Sequence, residues 1–234
     1  MVATQHIEED FALYNADCME VLPTLPGESI DLSVYSPPFA GLYNYSSHEA
    51  DFSNCESREQ FLQQYEFLVA EIARVTKPGR ITAVHCTDII DSRTGHMWDF
   101  PHEIVQIHER HGFRYRNRIT IWKEPLKVRM RTMVRSLMHK LIVEDSTECF
   151  TAMPDYVLVF KKAGENAVPV THPAGLDYYP GDTPFLPAHI ETYGDYKTFK
   201  KKWGDFDGPP AENKLSHLTW QRIASSVWDD IRID

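Results

Sequence analysis

Short apolar runs and longer amphipathic stretches alternate along the first 162 residues of the chain. The apolar runs are rich in β-branched and aromatic residues and predict strands at 11–18, 30–35, 81–86, 113–122 and 153–162. Two stretches between them, 57–79 and 100–111, carry apolar residues at helical intervals, which predicts helices. This alternation is typical of an α/β fold with a largely parallel sheet.

The helix that follows residue 57 has the clearest signals. Ser57 and Gln60 match a capping box, which satisfies backbone N–H groups at a helix start. One apolar stripe follows, formed by Phe61, Tyr65, Leu68, Ile72 and Val75. Pro78 and Gly79 are expected to end the helix. We interpret the stripe as core, and His85 in the next strand as a structural histidine rather than a catalytic base.

The predicted strand at 11–18 carries an acidic residue, Asp17, near its end, and a short helix is predicted at 19–25. A carboxylate just beyond a strand end often binds a polar group of a nucleotide. The same carboxylate can instead cap the helix, by accepting hydrogen bonds from its first N–H groups. Both roles are open for Asp17, and Cys18 lies beside it in the chain.

The strand at 30–35 stops abruptly at a rigid turn, Ser36-Pro37-Pro38-Phe39. Neither proline can donate a sheet hydrogen bond, and the first restricts Ser36 to an extended conformation. The turn therefore places a hydroxyl, peptide carbonyls and an aromatic ring at the carboxyl end of a strand, where α/β proteins bind ligands. The alternative is a turn that only terminates the strand.

Basic residues are concentrated in one part of an acidic chain. The formal net charge is −10, yet the segment 110–140 carries ten basic residues and one acidic residue, a charge of +9 that leaves −19 for the rest. Such clustering is typical of a surface that binds nucleic-acid phosphates. A solvated basic face that balances acidic neighbours is the alternative.

The composition argues against several classes of protein. No run of about 18 apolar residues is present, so a membrane-spanning helix is not expected. The first ten residues do not have the pattern of a signal peptide. The four cysteines lie far apart, which argues against a zinc site or a disulfide framework. We therefore expect a cytoplasmic protein without a membrane anchor or a bound metal.

The turn and the segments around it resemble one half of the DNA amino-methyltransferases, which methylate adenine N6 or cytosine N4 with S-adenosylmethionine. The catalytic motif of that family, (Asp/Asn/Ser)-Pro-Pro-(Tyr/Phe), stands here as Ser36-Pro37-Pro38-Phe39. A strand with an Asp near its end precedes it, and segments Arg-Val-Thr-Lys-Pro-Gly, Ile-Thr-Ile-Trp-Lys and Tyr-Val-Leu-Val-Phe-Lys follow. The resemblance covers residues 11–162 and points to the subgroup in which the catalytic motif precedes the cofactor motif.

This resemblance implies a fold and roles for the motif residues. The fold would be a Rossmann-like methyltransferase sheet with helices on both faces, incomplete in this chain, plus an irregular insert. Ser36 and the carbonyl of Pro37 would accept hydrogen bonds from the amino group of the base. Phe39 would stack on a base flipped out of the duplex, and Pro38 completes the catalytic motif.

The resemblance also implies residues that bind the cofactor and DNA. Asp17, with Cys18 beside it, matches the position where the family contacts the adenosine part of S-adenosylmethionine. Double-stranded DNA would be bound by the basic residues Lys127, Arg129, Arg131, Arg135 and Lys140. Arg131 and Arg135 are expected on one face of a helix.

Beyond residue 162 the composition changes. Residues 163–216 contain seven prolines and six glycines without a clear period, which indicates a target-recognition insert or a poorly ordered connector. Residues 217–234 resemble the lead-in to the cofactor-binding half of the family. We therefore divide the chain into a catalytic half at 1–162, an insert at 163–216 and a lead-in at 217–234.

The glycine-rich cofactor turn of the family, Phe-x-Gly-x-Gly, is absent from the sequence. The expected sheet is then incomplete, and the strand at 30–35 has an open apolar edge. We interpret the chain as a fragment or as one half of a split enzyme, completed by a second chain or by a missing C-terminal segment. The resemblance alone suggests a homodimer.

The favoured function is a site-specific DNA methyltransferase, as in the restriction-modification systems of bacteria or phage-infected cells. Ser36 together with Phe39 favours cytosine N4 slightly over adenine N6. A non-catalytic DNA-binding or scaffold subunit is the alternative, and the missing glycine turn favours it. A third interpretation keeps the enzyme and changes the substrate to RNA or a protein amide.

Overall fold

The computed structural model describes residues 4–38, 51–90, 96–173, 175–176, 219–220 and 222–231. The chain divides into two compact units, residues 1–167 and residues 168–234. The candidate site and the four sheet strands that position it belong to the first unit. No helix among the described residues has the length and apolar character needed to cross a lipid bilayer.

The first unit contains strands and helices in close alternation. The strands are β1 (Thr4–Ile7), β2 (Ala12–Asn15), β3 (Ile30–Tyr35), β4 (Thr76–Thr87), β5 (Ile89–Ile90), β6 (Met97–Trp98), β7 (Phe113–Ile121) and β8 (Asp155–Lys162). The α-helices are α1 (Cys18–Val21), α2 (Arg58–Val75), α3 (Phe100–Arg110), α4 (Pro125–Thr132) and α5 (Lys140–Glu144). The α/β class predicted from the sequence is confirmed.

Four strands of the first unit form one sheet in the order β3-β4-β8-β7. β3 and β4 are parallel, whereas β8 is antiparallel to both of its neighbours. Ile121 at the end of β7 pairs with Asp155 at the start of β8, so residues 122–154 leave and re-enter the sheet at one edge. Such a connection produces antiparallel neighbours, and the sheet is therefore mixed rather than largely parallel. The periodicity predicted the strands but carries no information about their direction.

The core lies between this sheet and the helices α2 and α3. Its fully buried residues include Phe61, Tyr65, Val69, Val84, Phe100, Ile104, Leu158 and Phe160. Val84 pairs with Leu158, so the buried sheet residues face one side. The connections β3-α2-β4 and β4-α3-β7 progress in the same direction along the sheet, and right-handed crossovers then place both helices on the same face.

α2 begins at the predicted residue and ends earlier than predicted. The Ser57 hydroxyl accepts a hydrogen bond from the Gln60 backbone N–H at 3.1 Å, and the Gln60 side chain accepts one from the Glu56 N–H at 2.7 Å. β4 starts directly after Val75 and includes a bulge, where Gly79 has a φ of 74°. The helix and its cap are thus confirmed, whereas Pro78 and Gly79 belong to the strand.

β3 is the outermost strand in the sheet order given above, and it has an exposed apolar surface. Leu32 is 59% exposed and Val34 is 70% exposed, on the face opposite to Tyr35. Within the described residues β3 pairs with β4 alone, so its second side carries free sheet hydrogen-bonding groups. In the part of the chain that the structure describes, the open apolar edge predicted for residues 30–35 is present.

The other elements of the chain differ in part from the prediction. β2 pairs with β1 in a small antiparallel hairpin and not with the main sheet, and β5 pairs with β6 in another. The second unit contains the short strand β9 (Val227–Trp228), next to which Arg222 pairs with Asp229 at 2.6 Å. Most of the predicted insert at 163–216 and part of the predicted lead-in at 217–234 lie outside the described residues.

Candidate active site

Ser36 lies at the edge of the sheet, directly after the last residue of β3. The residue is exposed, whereas Pro37 behind it is buried and Pro38 is half-buried. Two consecutive prolines fix the backbone, so the hydroxyl and the adjacent carbonyl project from a rigid support. The fourth residue of the predicted motif, Phe39, lies outside the described residues.

Strand ends bring three further polar side chains to the same edge. Because the parallel strands β3 and β4 end together, His85 lies beside Ser36. β8 begins at this edge with Asp155, and β7 ends there two residues before Lys123. The topology thus gathers residues that are far apart in the sequence.

These four residues form a continuous chain of contacts. Nδ1 of His85 lies 3.3 Å from Oγ of Ser36. Nε2 of the same imidazole lies 3.1 Å from Oδ2 of Asp155. The ammonium group of Lys123 donates a hydrogen bond to the other oxygen of that carboxylate. We call Ser36, His85, Asp155 and Lys123 the edge cluster.

Asp155 is the buried acid of the edge cluster, with a side chain that is 5% exposed. Burial alone would raise the pKa of this carboxyl group. Hydrogen bonds from His85 and Lys123, together with the Lys123 charge, outweigh burial and hold the pKa below its ordinary value. Asp155 is therefore ionised at neutral pH, and each of its oxygens accepts a hydrogen bond.

The residue before Ser36 is fixed by buried hydroxyl groups. The Tyr65 hydroxyl lies 3.0 Å from the Tyr35 hydroxyl, which lies 2.9 Å from Nε2 of His108. Nδ1 of His108 donates to the carbonyl oxygen of Ile104 at 2.7 Å, so Nε2 accepts from Tyr35 and Tyr35 in turn accepts from Tyr65. Helices α2 and α3 thereby hold the end of β3 in place.

Burial keeps the two hydroxyl groups and the imidazole of this network neutral. It raises the pKa of the Tyr35 hydroxyl, and it raises the pKa of the Tyr65 hydroxyl further above the ordinary range. It lowers the pKa of His108 to about 4, which keeps the imidazole neutral at physiological pH. The hydrogen-bond directions are therefore constant near neutral pH.

Asp17 caps α1, because its carboxylate accepts a hydrogen bond from the Met19 N–H at 2.8 Å. Of the two interpretations of Asp17, helix capping is the one that this contact supports directly. Cys18 is the first residue of α1, and burial raises the pKa of its thiol. Met19 of α1 and Tyr35 at the end of β3 both pack against the hydrophobic core.

The predicted DNA-binding residues fall on three separate elements. Lys127, Arg129 and Arg131 belong to α4, whereas Arg135 starts a 3₁₀ turn and Lys140 starts α5. α4 ends at Met133, which adopts a left-handed conformation with a φ of 53°. Arg131 and Arg135 therefore do not share a helix face, and that prediction is wrong.

Some of the basic residues already have acidic partners. Arg110 pairs with Glu66 at 3.0 Å, and Lys140 pairs with Glu144 at 3.0 Å. Lys127, Arg129 and Arg131 have no ion-pair partner among the described residues. These three cations of α4 are thus available for phosphate groups.

The contacts of His85 could not be predicted from the sequence. The position of His85 near a strand end was visible, but its contact with Asp155 joins residues that are 70 positions apart. That contact depends on β8 being antiparallel to β4, which no local signal indicated. Predicting the order of the strands in the sheet would have been required to find the edge cluster.

A family model of DNA methylases matches residues 30–233 of the chain, which includes β3, the Ser-Pro-Pro turn and the whole edge cluster. The chain belongs to the DNA methylase family. The match confirms the coarse assignment made from the turn and from the segments that follow it. No curated protein sequence matches this DNA methylase chain.

The chain is also similar to several solved structures. A protein of Thermus thermophilus assigned as a DNA modification methylase superposes with a TM-score of 0.53 at 20% identity, over 92% of this chain and 66% of that one. Its complex with S-adenosyl-L-methionine gives a TM-score of 0.51 at 20% identity, over 92% and 64%. The PvuII cytosine-N4-specific DNA methyltransferase has a TM-score of 0.47 and 16% identity, over 78% and 62%.

The Thermus thermophilus structures show a shared methyltransferase-like fold. The DNA methylase chain spans 64–66% of the length of these structures. The activity, substrates and partners of the complete proteins therefore come to this chain only as proposals.

Proposed function

We propose that this chain is the catalytic half of an S-adenosylmethionine-dependent DNA methyltransferase that modifies the exocyclic amino group of a flipped base. The observation that carries the proposal is the position of Ser36. It is exposed on a rigid proline support at the sheet edge, and His85 and the buried carboxylate of Asp155 lie behind it. Membership of the DNA methylase family supports the nature of the substrate.

An exocyclic amino group is a poor nucleophile, because its lone pair is delocalised into the aromatic ring. Hydrogen bonds from its two N–H groups to fixed acceptors draw the lone pair back onto nitrogen and orient it. Oγ of Ser36 and the carbonyl oxygen of Pro37 are adjacent acceptors on one rigid turn. Phe39 would stack on the flipped base, which offsets part of the cost of unstacking it.

S-adenosylmethionine would supply an electrophilic methyl group on sulfur. Asp17, whose Oδ1 caps α1, is the described carboxylate that the proposal assigns to the cofactor, and the sequence lacks the glycine-rich turn. Calorimetry with the isolated chain is therefore expected to show no S-adenosylmethionine binding. Micromolar binding would contradict this part of the proposal and show that the cofactor site is complete here.

The partner that completes the site would dock along β3. Leu32 and Val34 form an apolar surface beside free sheet hydrogen-bonding groups, as a neighbouring strand requires. Covering both side chains would contribute roughly 2–4 kcal/mol. A second chain or a further segment that carries the glycine-rich turn is the occupant that this proposal requires.

DNA would contact the basic residues 127–140. The cations of α4, which have no ion-pair partner among the described residues, would attract the phosphate groups of DNA. This attraction depends little on base sequence and positions the duplex. Among the possible target bases, Ser36 with Phe39 favours cytosine N4 over adenine N6. Nucleoside analysis of the product distinguishes the two bases, and it also distinguishes DNA from RNA or a protein amide.

The proposal is tested with the assembly purified by affinity from the organism that encodes the chain. Transfer of labelled methyl groups from S-adenosylmethionine to DNA is expected to fall roughly 100-fold on Ser36→Ala, by analogy with removal of one preorganised hydrogen-bond partner. Ser33→Ala is the matched control, because that hydroxyl lies in the same strand and bonds to Thr82 at 2.7 Å. Equal rates for wild type and Ser36→Ala would contradict the proposal.

A non-catalytic DNA-binding subunit is the second candidate, and the missing glycine-rich turn favours it. In that case Ser36→Ala would leave methyl transfer by the assembly unchanged. The basic residues of α4 would still affect DNA binding. The same pair of variants therefore separates the two candidates.

A further inference from the structure

We infer that His85 is a positioning residue for Ser36: Nδ1 of its imidazole accepts a hydrogen bond from the Ser36 hydroxyl, which leaves the oxygen lone pairs of Ser36 free for the amino group of the bound base. This inference rests on the proposed function and assigns a residue that the catalytic motif does not contain. The contact that carries it is the 3.3 Å distance between Nδ1 of His85 and Oγ of Ser36.

A serine differs from a carboxylate at this position, because the hydroxyl carries a proton of its own. The target amino group has two hydrogens and needs two acceptors. A hydroxyl proton that pointed into the site would meet the amino hydrogens and oppose binding. For a serine to accept a hydrogen bond from the amino group, another residue must accept a hydrogen bond from the serine hydroxyl on the side away from the base.

The edge cluster supplies that group in a defined tautomer. Asp155 is buried and ionised, so it can only accept, and Nε2 of His85 must carry a proton to bond to it at 3.1 Å. In the neutral imidazole, Nδ1 is then the acceptor. Lys123 bonds to the other oxygen of Asp155 and holds the carboxylate in this orientation.

Among the described residues, the other acceptor within reach of the Ser36 hydroxyl is the carbonyl oxygen of Pro37, at 3.4 Å. That hydrogen bond would occupy the carbonyl oxygen of Pro37, which is the second acceptor that the amino group needs. Donation of the hydroxyl proton to a hydrogen bond with His85 frees both Ser36 Oγ and Pro37 O. The 3.3 Å contact is long, as catalytic hydrogen bonds often are before substrate is bound.

Nuclear magnetic resonance of the imidazole nitrogens of His85 tests the tautomer without any cofactor. The inference predicts the Nε2–H tautomer in the wild-type chain. It also predicts that the Nδ1 resonance shifts on Ser36→Ala, which removes its donor, and does not shift on Ser33→Ala. The Nδ1–H tautomer, or an Nδ1 resonance that is unaffected by Ser36→Ala, would overturn the inference.

A double-mutant cycle in the natively purified assembly tests the role in catalysis. His85→Leu is expected to lower kcat by roughly 10- to 100-fold with KM for DNA unchanged. His85→Asn, whose amide oxygen can accept from Ser36, is expected to recover part of that loss. In a Ser36→Ala background, His85→Leu should change kcat by less than about 3-fold, because the group that it positions is absent. If the effects of the two substitutions on kcat are additive in free energy, the inference is overturned.

The two inferences fail in different ways. If Ser36→Ala leaves methyl transfer unchanged, the proposed function is wrong, and the tautomer measurement still decides whether His85 accepts from Ser36. If Ser36→Ala abolishes transfer while His85→Leu is silent, the proposed function stands and the role of His85 is wrong.

Discussion

The hydroxyl of Tyr35 lies 2.9 Å from Nε2 of His108, and this contact joins the last residue of β3 to α3. The ring of His108 stacks on Phe160 of β8, with ring centroids 4.1 Å apart. Tyr35 directly precedes Ser36, so the buried network fixes the strand from which the candidate catalytic turn projects. The same network makes the stability of the fold sensitive to acid.

The free energy of unfolding is expected to fall as the pH falls from 6.5 to 4. Burial lowers the pKa of His108 from 6.5 to about 4, so within this window the unfolded chain binds a proton that the folded chain does not. The resulting loss is about 2 kcal/mol between pH 8 and pH 5. Urea unfolding of wild type and His108→Gln at both values measures it, since the variant lacks this component.

Tyr35→Phe is the matched control for the acid effect. It removes the donor to Nε2 of His108 but keeps the histidine buried, so it should lower stability at both pH values by about 1 kcal/mol. Its pH dependence should follow that of wild type. Equal pH dependence in wild type and His108→Gln would show that His108 does not carry the effect.

Gly79→Ala is expected to destabilise the protein by roughly 2–3 kcal/mol through strain and a steric clash. Gly79 has a φ of 74°, and a Cβ there would lie 2.7 Å from the backbone nitrogen of Asn166. Gly112→Ala is the control, because its φ is 83° but its Cβ would meet open space. Gly112→Ala should lower the free energy of unfolding, measured in urea, by only about 1 kcal/mol. Equal losses would rule out the clash.

Substitution of the α4 cations should weaken binding to non-specific DNA. Each of Lys127→Ala, Arg129→Ala and Arg131→Ala should lower the slope of log K against log salt concentration by about 0.9, if each contacts one phosphate. Arg110→Ala is the control, because Arg110 is engaged with Glu66. A triple variant that keeps the wild-type slope would place the DNA elsewhere.

Val34→Lys should leave the isolated chain folded but prevent its assembly. Val34 is 70% exposed, so the change should alter stability by less than about 0.5 kcal/mol. A lysine there would oppose burial of β3 by a neighbouring strand. The mass of the natively purified assembly measures the effect, with Val143→Lys as a control at an 81% exposed position. Intact assembly of Val34→Lys would contradict docking along β3.

Local signals predicted the parts of the fold that depend on neighbouring residues. The capping of α2 by Ser57 and the stripe from Phe61 to Val75 involve residues three or four apart, and both are confirmed. The open edge of β3 was predicted because the sequence lacks the glycine-rich motif of the family. The prediction for Arg131 and Arg135 was wrong, because a left-handed conformation at Met133 is not a sequence signal.

The remaining features depend on contacts between distant residues. The direction of β8 sets the pairing of Thr87 with Asp155, and it thereby brings Asp155 close to His85. No periodicity distinguishes a parallel from an antiparallel strand of the same composition. Ser36 was found through its motif, whereas His85 became a candidate only when the strand order was known.

The most direct test of the account replaces Ser36 by Ala at the chromosomal locus of the organism that encodes the chain. Mapping of methylated bases across the genome then compares wild type, Ser36→Ala and the control Ser33→Ala. The account predicts that one methylated sequence motif, carrying N4-methylcytosine or N6-methyladenine, disappears in Ser36→Ala alone. Identical methylation in all three strains would contradict the assignment of Ser36 as the catalytic residue.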